Sequence, residues 1–98
     1  MTWIKTVPLS QASPELMEAL QGQGQLYPPE YRIPVPSLSE HENNGDGPSI
    51  IMAHSQMPQV LFHAFAAYGS LLSPDLPLTR RHHEMIAATV SALNRCHY

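Results

Sequence analysis

The stretch Leu78-Thr79-Arg80-Arg81-His82-His83-Glu84-Met85-Ile86-Ala87-Ala88-Thr89-Val90-Ser91-Ala92-Leu93-Asn94-Arg95-Cys96-His97-Tyr98 decides the fold. Apolar residues recur at Ile86, Val90 and Leu93 and again at Met85, Ala88 and Ala92, the period of an α-helix with a broad buried face. Thr79 stands where a helix N-cap belongs. No proline interrupts the run, because all ten prolines lie at or before Pro77.

Working outward, the prolines decide where other helices fit, since each removes a backbone donor and clashes with the preceding turn. One window opens at Ser13-Pro14-Glu15, an N-cap residue followed by a first-turn proline and an acid, and runs through Leu20 until Gly22 stops it. A second opens at Ser55 with Pro58 in its first turn. Leu61, Phe65 and Tyr68 share one face there, and the helix ends near Leu72, before Pro74. Between Gly22 and His54 the punctuation is too dense for long elements: Pro28, Pro29, Pro34, Pro36, Pro48 and the run Glu42-Asn43-Asn44-Gly45-Asp46-Gly47. Residues 22–54 therefore read as a long irregular, proline-rich arm, which carries apolar side chains such as Leu26, Tyr27 and Tyr31 with which to dock. Alternation at Tyr31, Ile33 and Val35 suits a short strand, but Pro34 and Pro36 restrict it to an edge. The fold class expected is all-α, one domain over residues 1–98 with that arm.

Composition narrows the functions. The 98 residues are 43% hydrophobic and 13% charged, with a formal charge of −3. A chain of this size buries a thin core unless another subunit adds to it, so a homo-oligomer is expected. Residues 1–77 hold Lys5 and Arg32 against seven acids, whereas 78–98 hold three arginines against Glu84. With no overall excess of positive charge, neither nucleic acid nor an anionic membrane is the expected partner. No run of 18 apolar residues is present to span a bilayer. The opening Met1-Thr2-Trp3-Ile4-Lys5 lacks the apolar stretch of a secretory leader, and a single cysteine suits a reducing compartment. A cytoplasmic location is the expectation. The six histidines include no i,i+4 pair, so no metal site is expected.

The C-terminal stretch resembles the core motif of the alkylhydroperoxidase D-like, or carboxymuconolactone decarboxylase, family, most closely its peroxidase-related branch. In that family a glutamate opens an apolar helix, a Ser-Ala-x-Asn segment ends it, and a Cys-x-x-Cys pair with a histidine four residues later begins the next helix. Glu84, Ser91, Ala92, Asn94 and Cys96 match. Trp3-Ile4, Met52-Ala53-His54-Ser55 and Tyr68 extend the resemblance more faintly upstream.

The resemblance implies a short helical domain and a thiol peroxidase acting on hydrogen peroxide or a small organic hydroperoxide, recycled by a thiol reductant and needing no cofactor. It implies that Cys96 is the resolving thiol and that Glu84 belongs to a proton relay. These residues end at Tyr98, ahead of the second cysteine and the later histidine. The expectation is therefore an incomplete domain, a truncated product or a relative without the activity, with little peroxide turnover. Two other readings stay open: a carboxymuconolactone decarboxylase-like acid-base reaction through Glu84 or a histidine, and a non-enzymatic helical oligomerisation module.

Geometry constrains how Glu84 and Cys96 could cooperate. On one straight helix, twelve residues set them about 18 Å apart and about 120° around the axis. A break at Asn94, which tolerates the left-handed conformation, would fold the thiol back. Each residue also has a plainer role. Glu84 suits a first-turn acid at a helix N-terminus, and Cys96 suits a small, buried, inert hydrophobe. His82 and His83 with Arg80 and Arg81 suit a solvated or intersubunit basic face. The methionines and aromatics at helical spacing suit a core.

Overall fold

A computed structural model describes residues 3–36 and 49–96. Among the described residues, α-helices run over Pro14–Gly24 (α1), Ser49–Met52 (a short α2), Pro58–Leu71 (α3) and Arg80–Leu93 (α4). Single 3-10 turns occupy Leu9–Gln11 and Pro29–Arg32. The described residues are all-α, without a strand. The alternation at Tyr31, Ile33 and Val35 produces no strand, since Tyr31 is taken into the 3-10 turn that Pro29 opens.

Local chemistry sets most boundaries. The Ser13 hydroxyl accepts a hydrogen bond from the Leu16 N–H at 3.1 Å, and Pro14, at the first helical position, gives up no bond the helix needs. α1 does not stop at Gly22 but continues to Gly24. Gly22 is there for space: a Cβ at that position would lie 3.0 Å from the Phe62 ring of α3. α3 begins at Pro58 as its proline implies, yet Ser55 does not cap it. The buried Ser55 hydroxyl instead accepts the Val7 N–H at 2.7 Å, while the Gln56 side chain donates to the Lys5 carbonyl at 2.8 Å. These two bonds lace the N-terminal segment across the entry to α3.

α1 and α3 pack together and make the core. Leu16, Ala19 and Leu61 are buried at its centre, with Val7, Ala12, Leu20, Ile51, Phe62 and Phe65 around them. Full burial of a side chain such as Leu61 stabilises by about 1.5–3 kcal/mol. At the other end of α3, Gly69 lets the chain after α1 approach closely: a Cβ there would sit 2.7 Å from the Leu26 Cβ and 3.2 Å from the Tyr27 ring. Tyr27 in turn meets Tyr68 edge-on, with centroids 5.7 Å apart, and Tyr31 at 5.9 Å.

α4 stands apart from this core. Its first turn is docked, with the Arg80 guanidinium 4.4 Å above the Tyr31 ring and His83 buried. From Glu84 to Cys96 every residue is exposed except the half-buried Ser91. The face expected to be buried is open: Met85, Ile86, Val90 and Leu93 are 56%, 52%, 49% and 79% exposed. The chain supplies no cover for it among the described residues.

Candidate functional site

Thr79 places the start of α4. Its hydroxyl accepts the His82 N–H, and His82 Nδ1 accepts the Thr79 N–H, each at 3.3 Å, a capping box with histidine in the usual glutamate position. His82 is thus an exposed helix-start residue. His83, expected on a solvated or intersubunit basic face, is buried within the described residues, where it lines a cleft together with the 72–79 connection and the Pro28-Pro29 turn.

Since the helix starts at Arg80, Glu84 falls in the second turn, and the first turn holds no acid. The helix-terminus role expected of Glu84 is therefore weak, as that field fades within one turn. Its carboxylate is exposed and pairs with Arg80 Nη2 at 2.9 Å, an i,i+4 contact between side chains 36% and 55% exposed. Such a pair contributes a few tenths of a kcal/mol, about 0.3–0.5. Glu84 shares a face with Ser91, seven residues on. Leu93 lies about 180° away, so the carboxylate and the open apolar stripe look in different directions.

The helix breaks one residue later than expected. Asn94 stays right-handed (φ −80°, ψ −1°), and Arg95 takes the left-handed conformation, with φ 52°. The Arg95 N–H donates to the Ala92 carbonyl at 3.1 Å and the Cys96 N–H to the Ser91 carbonyl at 2.9 Å. This is the Schellman pattern, built here without glycine. Cys96 emerges from the turn exposed, so it is not the buried hydrophobe that its residue type alone suggests. The turn ends the rod without returning the thiol to its start. Between Glu84 and Leu93 the helix rises about 13 Å, so one copy of the chain keeps carboxylate and thiol at opposite ends.

A second cluster, which sequence reasoning missed, surrounds the N-terminal turn of α4. Tyr31 joins Tyr27, Tyr68 and Arg80 there. Burial first, then a hydrogen bond to Tyr68 and the charges of Tyr68 and Glu84, push the Tyr31 phenol up to about 12 against the opposing pull of Arg80. Burial, with the neighbouring Tyr68, also raises Tyr27. Beside this cluster, a cleft of about 290 Å³ runs between the Pro28-Pro29 turn, the 72–78 connection and α4. The tyrosine spacing in sequence gave no sign of it, because the contacts join segments some forty to fifty residues apart.

Of the remaining histidines, His54 donates from Nδ1 to the Ile50 carbonyl at 2.9 Å and packs edge-on against Phe65 with centroids 5.3 Å apart. His63 is exposed. No family model, curated protein or solved structure matches the chain.

Proposed function

We propose that this chain is a peroxidase-related thiol oxidoreductase unit of the alkylhydroperoxidase D-like type, acting on hydrogen peroxide or small organic hydroperoxides as a homo-oligomer. Cys96 is its resolving thiol and Glu84 belongs to its proton relay. The observation that supports this reading is the exposed Cys96 released by a Schellman turn at the end of a helix that carries Glu84. In the proposed reaction a second thiolate attacks the peroxide: an S–O bond forms, the O–O bond breaks, and the alcohol or water leaves after taking a proton. The Cys96 thiolate then attacks the resulting sulfenic acid, forming the disulfide and releasing hydroxide, which is protonated to water. A dithiol reductant restores both thiols and is itself oxidised to a disulfide.

The 98 residues contain one cysteine, so the second sulfur must come from outside them, and by themselves we expect them to consume peroxide slowly. The decisive test adds a cysteine directly after Tyr98 and a histidine four residues later. Dithiol-dependent peroxide consumption is expected to rise well above that of the 98-residue chain and to vanish again with Cys96→Ser. No gain in the extended, folded chain would sink the redox reading. A second reading, a non-enzymatic helical oligomerisation module, is favoured by the open apolar face of α4. It expects assembly in solution with Cys96 dispensable.

A further inference from the structure

The cleft at the start of α4 combines apolar walls with an imidazole and one guanidinium nitrogen that have no hydrogen-bond partner among the described residues. Pro28, Pro29, Leu72 and Leu76 supply apolar surface, and Arg80 and His83 supply polar groups from adjacent turns of one helix face. His83 is only 9% exposed, and both its ring nitrogens are buried without a hydrogen-bond partner among the described residues. Arg80 Nη1 is buried and unpartnered in the same way, while its Nη2 is held by Glu84. Leaving such groups unpaired costs on the order of 1–3 kcal/mol each, more for a charged group, so a native chain rarely keeps them so without a use.

We propose that this cleft binds a small organic carboxylate with a short apolar tail. Arg80 Nη1 and the His83 ring nitrogens have almost no accessible surface, so binding rotates both side chains slightly toward the cleft. One carboxylate oxygen then accepts from Arg80 Nη1 and the other from a ring N–H of His83, while the tail lies on the proline and leucine walls. The cavity is at the small end of ligand sites, which selects a short tail. Glu30 also lines the cleft. Its negative charge disfavours a second anionic group and makes the preferred ligand a monocarboxylate. The site is independent of the redox reading, because Cys96 lies beyond the far end of α4, roughly 20 Å along the axis from Arg80.

The test is calorimetric titration of the full chain with butyrate and hexanoate, with butyramide in parallel. We expect one saturable site of on the order of millimolar affinity, tighter for hexanoate, and no saturation with butyramide. Arg80→Gln and His83→Phe, each checked for retained helical circular dichroism, are expected to weaken binding about tenfold or more. In the unaltered protein, butyrate is expected to shift the His83 ring proton resonances in step with the heat. Equal binding of the amide, no saturation, unmoved His83 resonances or unchanged affinity in the folded variants would each overturn the proposal. So would binding that merely dissociates an oligomer, since an acidic side chain of a second copy would then be the occupant.

Discussion

Helices α3 and α4 are each fourteen residues long, yet they end in opposite situations. α3 lies against α1 and buries Leu61 completely, and Gly69 is shaved to admit Leu26 and Tyr27. α4 repeats apolar residues with a clear helical period and buries only His83. Periodicity therefore specifies a face but not what covers it. For α3 the cover is a helix some forty residues upstream in the same chain. For α4 the first turn finds Tyr31 and the cleft, and the remaining turns find nothing among the described residues.

The contrast is sharpened most strongly by truncating each face. Leu61→Ala is expected to cost about 2–5 kcal/mol in chemical denaturation, the cost of removing a fully buried leucine side chain. Gly69→Ala should follow at about 1–3 kcal/mol, because the Leu26 Cβ is bound directly to backbone and cannot swing aside. Leu93→Ser, at 79% exposure, is expected to stay within about 0.5 kcal/mol by the same denaturation while weakening any self-association. A loss comparable to that at Leu61 would mean that the face of α4 is covered by its own chain.

The anchor between the two regions has a pH signature. The Tyr31 phenol is raised from 10.0 to about 12, chiefly by burial, so the folded form holds its proton where the unfolded chain has lost it. Its contribution is complete below about pH 10 and is lost as pH rises toward about 12. The effect is small, because the residue is 42% exposed. Spectroscopic titration of tyrosinate should show one late-ionising phenol that Tyr31→Phe removes. Ionisation of Tyr31 at an ordinary value would detach it from the cluster with Tyr68.

What was legible in the sequence was local. Ser13, Pro14, Pro58 and Thr79 act through their own backbone within one turn, and they mark the helix starts correctly. Gly22 misled because glycine serves two purposes, and only the position of Phe62, forty residues away, shows that this one makes room rather than ends a helix. The turn before Cys96 was legible as a break, but the left-handed residue proved to be Arg95, since hydrogen bonds to Ser91 and Ala92 fix the geometry whatever the side chain prefers. The resemblance singles out Glu84 and Cys96, yet their exposure and their separation depend on where the helix starts and stops. The cleft with Arg80 and His83 was invisible, because the proline turn that closes it comes from residues 28 and 29.

Sedimentation velocity of the full chain at micromolar concentration tests most directly whether the open face of α4 is an assembly surface. We expect a species larger than one chain, reverting to a folded monomer when Ile86 and Val90 are both changed to serine. A monodisperse, folded monomer of the unaltered protein would contradict it.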